Sequence, residues 1–430
     1  MRNRTNQRIM GIKDNTLIVG IDVAKNEQWA RFVTYRGIEV GKAVKFQNDL
    51  QGFERIVAII EEMCNKETQY SATDVIIEME PTGHYWKPLA IYLSNIGYKV
   101  TGVNPFHTKK AKELDDNSQT KSDFKDALTI AKLVAEGRYF DPYLPEGIYG
   151  DLRVLTNERV SVQKRSSAVK NTIIAILDEY FPEIYTVFKQ PLTGKASRQI
   201  LRVCPFPAYI LAMREEDILA EIKKVTKRTV GMKRVNVLIA AAKGSIGVDN
   251  GQIAAKNRLR RLVSELDQYE EQLEEIEQEM KEALYTTGYA DQLLNIKGVG
   301  VVSIASLLGE VGDPLRFTSA RQIHNYAGFN LVEDSSGKSK SGTVISKRGR
   351  SQLRALLYQM AFTLVGQNPE MKELYRFLIT RKSNPLKKKQ GLVVIAKKIV
   401  SVIHSILKND DIYRQELVLG AVRQEMILAA

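Results

Sequence analysis

The chain has 430 residues, a formal charge of +13 and a pI near 9.4. Its 44% hydrophobic and 26% charged residues describe a globular chain that is neither disordered nor membrane-embedded, and its length suits two or three domains, because single cores stop growing near ~250–300 residues. The positive charge points to an anionic partner, most often nucleic acid. Two cysteines, Cys64 and Cys204, and four scattered histidines exclude a disulfide framework and a recognisable zinc spacing. A reducing cytoplasm is expected. No membrane partner is expected either: Leu392–Ile403 is short and carries Lys397 and Lys398, and the N-terminus lacks a signal-peptide core.

Leu17–Val23 is apolar and β-branched, the pattern of a strand buried on both faces, with Asp22 near its end. Trp29–Tyr35 and Ala43–Phe46 read as two further strands around the Arg36-Gly37 turn, giving a three-stranded meander. Leu50–Met63 has helical apolar spacing. Asp74–Met79 is a second buried strand closed by Glu80-Pro81-Thr82-Gly83, Tyr85–Ile96 a helix, and Lys99–Val103 a strand ended by Asn104-Pro105. This β-β-β-α-β-α-β-α order is the ribonuclease-H-like order, an α/β domain with a mixed five-stranded sheet over residues 1–150. In it the first and fourth strands lie parallel and adjacent, so Asp22 and Glu80 project at the same end.

Asp123 and Asp126 open a following helix, three residues apart on one face. Acids in a first helical turn also suit the macrodipole without any function. Jointly, however, four carboxylates at one sheet edge cannot stay ionised without cations. Oxygen donors favour Mg²⁺ or Mn²⁺, which can hold a scissile phosphate.

Residues 151–290 read as an α-helical coiled-coil region with a basic insertion at 191–255. Asp151–Tyr180 is rich in helix formers. Leu259, Leu262, Leu266, Tyr269, Leu273, Ile276, Met280 and Ala283 alternate spacings of three and four, a coiled-coil seam. It can pair with the 151–180 helix of its own chain or with another subunit.

Residues 291–430 read as a mainly α domain. Gly298-Val299-Gly300 sits between two helices, similar to backbone-gripping helix-hairpin-helix elements. Asp334-Ser335-Ser336-Gly337-Lys338-Ser339-Lys340-Ser341-Gly342, then Ile345-Ser346-Lys347-Arg348-Gly349-Arg350, reads as a flexible phosphate-facing loop ahead of a helix, Gln352–Val365, that carries Arg354. Lys387, Lys388 and Lys389 read as an exposed loop within the most basic stretch, and Glu416–Leu428 as a last helix. Such contacts supply affinity without reading sequence.

Gly20-Ile21-Asp22-Val23-Ala24-Lys25, Glu80-Pro81-Thr82-Gly83-His84-Tyr85, Val103-Asn104-Pro105 and Lys121-Ser122-Asp123-Phe124-Lys125-Asp126-Ala127 together resemble the DEDD transposases of the insertion sequence one-ten family. Ser122 stands where that family often has Thr. The resemblance implies a first domain similar to the RuvC resolvase and a metal set of Asp22, Glu80, Asp123 and Asp126. The Ser-Gly motif followed by Ile-Ser-Lys-x-Gly and Leu-Arg resembles the family's second domain. That implies a serine nucleophile at Ser336, with Ser335 one register step away, and phosphate contacts at Lys347, Arg348 and Arg354. It further implies a homo-oligomer (dimer or tetramer) acting on DNA, on element ends and target, under the direction of a bridge RNA. Residues alone reach a metal-dependent nucleic-acid enzyme. A two-metal nuclease with water as nucleophile and a non-catalytic nucleic-acid-binding protein are the alternatives.

Overall fold

The computed structural model describes residues 2–66, 70–81, 83–115, 123–226, 231–336 and 339–420. The chain divides into two units, Met1–Leu144 and Pro145–Ala430.

The first unit runs α1 (Arg2–Met10), β1 (Leu17–Asp22), β2 (Glu27–Thr34), β3 (Glu39–Gln47), α2 (Leu50–Lys66), β4 (Val75–Met79), α3 (Trp86–Asn95), β5 (Lys99–Val103), α4 (Pro105–Asp115), α5 (Asp123–Ala135) and β6 (Tyr139–Phe140). The sheet order is β3-β2-β1-β4-β5-β6. β1, β4 and β5 are parallel and the others antiparallel to their neighbours. The sheet therefore has six strands where five are expected. The extra one, β6, is a two-residue antiparallel edge on β5, too short to carry a period of its own.

Strand alternation sorts the core into two layers. Leu17, Val19, Ile21, Ile77 and Met79 pack with Phe53, Ile56 and Ile60 of α2 and Trp86, Leu89 and Leu93 of α3. Ile18, Val33 and Ile76 pack on the opposite face with Ala131 and Val134 of α5. Each fully buried side chain of this kind contributes about 1.5–3 kcal/mol, which is why β1 and β4 tolerate almost no polar residue.

The second unit begins with α6 (Gly147–Tyr180), continues through α7 (Ile184–Val187), α8 (Lys195–Val203), α9 (Pro207–Leu211), α10 (Glu215–Val225) and α11 (Met232–Lys243), and returns along α12 (Gln252–Thr286). Then come α13 (Ala290–Leu294), α14 (Val301–Val311), α15 (Ala320–Tyr326), β7 (Leu331–Ser336), β8 (Ser339–Ile345), α16 (Ser351–Gln367), α17 (Pro369–Thr380), α18 (Lys388–Lys408) and α19 (Gln415–Leu419). Leu152 and Val162 of α6 share a core with Ile276, Met280 and Ala283 of α12. Val169, Ile173 and Leu177 share another with Leu259, Val263 and Ala255. Rising numbers on α6 meet falling numbers on α12, so the two long helices run antiparallel inside one chain.

The stretch between them folds as a small helical cap. Arg198 of α8 bonds Asp267 and Glu270 of α12 at 3.0 and 2.5 Å, and Ile200, Ile218 and Leu238 lie in the α6–α12 core. The segment read as a flexible loop is the β7–β8 hairpin. Lys388 and Lys389 belong to the first turn of α18 and Lys387 caps it, its N–H donating to Gln390 Oε1 at 3.0 Å. Among the described residues α18 is the one helix long and apolar enough to cross a membrane. Its Ile395, Ile399, Ile403 and Leu407 are core residues of this unit.

Candidate active site

Asp22 is the last residue of β1. The parallel register of β1 and β4 runs to Ile21↔Met79, so Asp22 and Glu80 occupy the next step, side by side at the C-terminal edge of the central strands. Both are half-buried. The face they share is fixed by Gly20, two residues before Asp22. A Cβ on Gly20 would meet Ala131 N at 2.5 Å and Ala131 Cβ at 2.7 Å, so only glycine lets α5 lie this close to β1. Ile18 touches the Ala131–Val134 part of α5, while Gly20 touches Ala127 and Ala131. Moving toward Asp22 on β1 therefore moves toward the start of α5, where Asp123 and Asp126 stand. The backbone brings the four positions to one corner.

Asp126 is half-buried and its Oδ2 lies 2.5 Å from Lys112 Nζ of α4. The side chain of Asp123 lies outside the described residues. Among the described residues no group of three acids, histidines or cysteines is close enough to hold an ion. The donor set, being carboxylate oxygen throughout, is nevertheless of the kind a hard divalent cation takes, with Asp126 here paired with the Lys112 ammonium.

One residue near this corner escaped the sequence reading. Glu78 of β4 is fully buried, and its pairing with Gly20 puts it on the α5 face. Burial pushes its carboxyl well above the usual range, opposed by the Thr101 hydroxyl, which donates to Oε2. Its Oε1 has no hydrogen-bond partner among the described residues. An acid inside Val75-Ile-Ile-Glu-Met was the available signal.

In the second unit, Ser336 ends β7 at the hairpin tip, paired with Ser339, and Ser335 pairs with Lys340. The side chains of Ser335, Ser336 and Lys340, and all of Lys338, lie outside the described residues. The base of the hairpin is tightly tied. Ser346 N donates to Asn330 O at 2.7 Å, Lys347 N to Gly328 O at 3.1 Å and Arg350 N to Tyr326 O at 2.9 Å. A Cβ on Gly349 would meet Gly328 N and Tyr326 O, both at 2.5 Å. Lys347 takes a left-handed φ of 55°, a strained choice for a residue with a side chain.

The cations that the sequence offers in this unit divide into two groups. Arg354 Nη1 donates to Ala327 O and Lys347 O at 3.0 and 3.2 Å, and Arg350 Nε to Glu310 Oε2 at 2.8 Å; both guanidinium groups hold the protein together. Lys347, Arg348, Lys387, Lys388 and Lys389 are exposed. Gly298 takes φ +90° against Leu364 and Gln367, while Gly300 caps α14 with open space where a Cβ would be.

Together these features define a class: an α/β unit with acids gathered at the edge of its central strands, followed by a mostly helical unit that presents an exposed basic surface. Comparison with known proteins places the chain within that class. A profile of DEDD transposases of the IS110 group matches residues 19–182, and that of the transposase IS116/IS110/IS902 family matches residues 290–376. The chain belongs to the IS110 family of transposases, a family of DNA-cutting enzymes. The insertion element IS110 uncharacterized 43.6 kDa protein of Streptomyces coelicolor is 22% identical over 410 residues, covering 95% of this chain and 98% of the relative. The pilin gene-inverting protein of Moraxella lacunata is 22% identical over 395 residues, 91% of this chain and 96% of the relative. The transposase for insertion sequence element IS1328 of Yersinia enterocolitica is 36% identical over a shorter stretch of 107 residues, 24% of this chain and 32% of the relative.

Proposed function

We propose that this chain mobilises an insertion sequence, cutting and rejoining DNA through a serine nucleophile assisted by carboxylate-bound Mg²⁺ or Mn²⁺. The observation that carries the reading is the corner where Asp22, Glu80 and the start of α5 converge. The strand order β3-β2-β1-β4-β5 supports a RuvC-like first domain, and the antiparallel α6–α12 pair supports a coiled coil folded within the chain.

Asp22, Glu80, Asp123 and Asp126 would hold the divalent ions, which when bound polarise a phosphate and ease loss of a hydroxyl proton. Ser336 attacks phosphorus through Oγ. The Ser O–P bond forms, the P–O bond to the leaving deoxyribose oxygen breaks, the serine proton passes to solvent, and the leaving oxygen takes up a proton. The phosphoserine link conserves the bond for rejoining, so no nucleotide cofactor is consumed. Lys347, Arg348 and Lys387–Lys389, exposed on the surface, contact phosphates without reading bases, as do Lys338, Lys340 and the Gly298–Gly300 turn. Choice of site falls to a bridge RNA, and the working particle is a cytoplasmic homo-oligomer. Recombination of an element end with a target, reconstituted from purified protein, flanking RNA, both DNAs and Mg²⁺, tests this. It is expected to stop in Asp22→Asn and after ribonuclease treatment; full-rate reaction in either case refutes the corresponding part.

A further inference from the structure

The second unit contains a buried acid that this chemistry leaves unused. Glu310, in the last turn of α14, is 1% exposed. Its Oε2 accepts from Arg350 Nε at 2.8 Å, and its Oε1 is buried without a hydrogen-bond partner among the described residues. From behind, Arg153 of α6 donates to the carbonyls of Gly309 and Glu310, the latter at 2.8 Å. A Cβ on Gly309 would meet Thr156 Oγ1 at 2.5 Å, so α6 and α14 touch with no slack. Arg350, in turn, lies on the segment returning from β8 to α16, and its N–H is tied to Tyr326 O.

The hairpin needs such an anchor. Of its described side chains, Leu331, Val332 and Val344 are 65%, 45% and 57% exposed, and Ile345 alone packs against the core. Among the described side chains no continuous apolar face sets its attitude; the polar bonds at its base do. A buried ion pair adds little net stability, but it specifies one geometry and is costly to break.

We infer that Glu310 is a positioning residue: through Arg350 it fixes the base of the β7–β8 hairpin, and so the serine at its tip, on the α6–α14 frame. This rests on the reading of Ser336 as nucleophile. The test uses full-length Glu310→Gln, Arg350→Gln and the double variant, with Ser336→Ala alongside. Adduct formation with labelled DNA, nucleic-acid binding and hydrogen exchange of segment 326–350 are measured.

Glu310→Gln is expected to slow adduct formation about tenfold to a hundredfold, the scale for small misplacement of a reacting group. It should leave nucleic-acid affinity within about twofold, because Glu310 and Arg350 bond each other while the exposed Lys347, Arg348 and Lys387–Lys389 keep their charge. Exchange should quicken in segment 326–350 and nowhere else in the unit. The double variant should be no slower than the slower single, since the two residues act as one. Additive losses, an unchanged adduct rate, or faster exchange across the whole unit would overturn the inference. If Glu310→Gln does not fold, Arg350→Lys, which keeps the charge and shortens the reach, is read by the same measures. If Ser336→Ala forms adduct like wild type, or wild type forms none, the serine reading fails. The exchange data then decide the positioning role alone: quickening confined to 326–350 supports it, and anything else overturns it.

Discussion

Gly20→Ala probes the seam on which the carboxylate corner depends. The added methyl would stand 2.7 Å from Ala131 Cβ and 2.5 Å from Ala131 N. Carbon atoms rest at about 3.5–4.0 Å, so α5 must retreat from β1 by roughly 1 Å. Overpacking of this kind costs about 1–3 kcal/mol, which leaves the fold intact. The acids at the start of α5 move with the helix while Asp22 and Glu80 stay on their strands. A shift near 1 Å at a reacting centre costs on the order of 100-fold in rate. The expected result is a folded protein, slightly less resistant to urea, whose recombination rate falls about 100-fold and is partly restored by raised Mg²⁺. Gly366→Ala, in α16 with nothing within 4 Å of its added methyl, serves as control and should gain about 0.5 kcal/mol with activity unchanged. Full activity of Gly20→Ala at ordinary Mg²⁺ would refute the argument that the β1–α5 seam sets the corner.

Three further outcomes are expected. Mn²⁺ should raise the melting temperature of the wild type but not of Asp22→Asn or Glu80→Gln, because an ion that binds only the folded state stabilises it; equal shifts in all three would remove the metal from this corner. Burial pushes the Cys204 thiol up to about 12. The folded state then holds that proton more tightly than the unfolded chain, whose thiol ionises near ~8.5, so this contribution is present below that pH and is lost as pH rises. It amounts to about 1.4 kcal/mol lost between pH 7.5 and 9.5 in urea titrations, and Cys204→Ala should flatten that slope. Loss of Arg198, which ties α8 to Asp267 and Glu270, should cost about 1–3 kcal/mol and raise hydrogen exchange in residues 195–243 ahead of the rest of the chain.

The central strands were legible because Leu17–Asp22 and Val75–Met79 are apolar runs that suit only a sheet covered on both faces, and each places an acid at or just past its end. The β7–β8 hairpin was not, because its flanking Leu331, Val332 and Val344 are exposed, and its Ser, Gly and Lys residues show no alternation to read. α4 was missed because Asn104-Pro105 looks like a stop. Proline at a first helical position is instead a start, and Asn104 Oδ1 accepts from Phe106 N at 3.0 Å. The basic α1 has no apolar period and rests on the sheet through contacts such as Arg8 over Tyr139, 5.3 Å from the ring centre. At the site, spacing could offer Arg350 and Arg354 as phosphate contacts. Only the fold shows their guanidinium groups bonded to Glu310, Ala327 and Lys347.

The most direct measurement is a denaturing gel of wild type and Ser336→Ala incubated with labelled element-end and target DNA, flanking RNA and Mg²⁺. A protein–DNA adduct formed by the wild type and absent from Ser336→Ala is the predicted result. Strand cleavage that persists without an adduct in Ser336→Ala would contradict the account and point to water as the nucleophile.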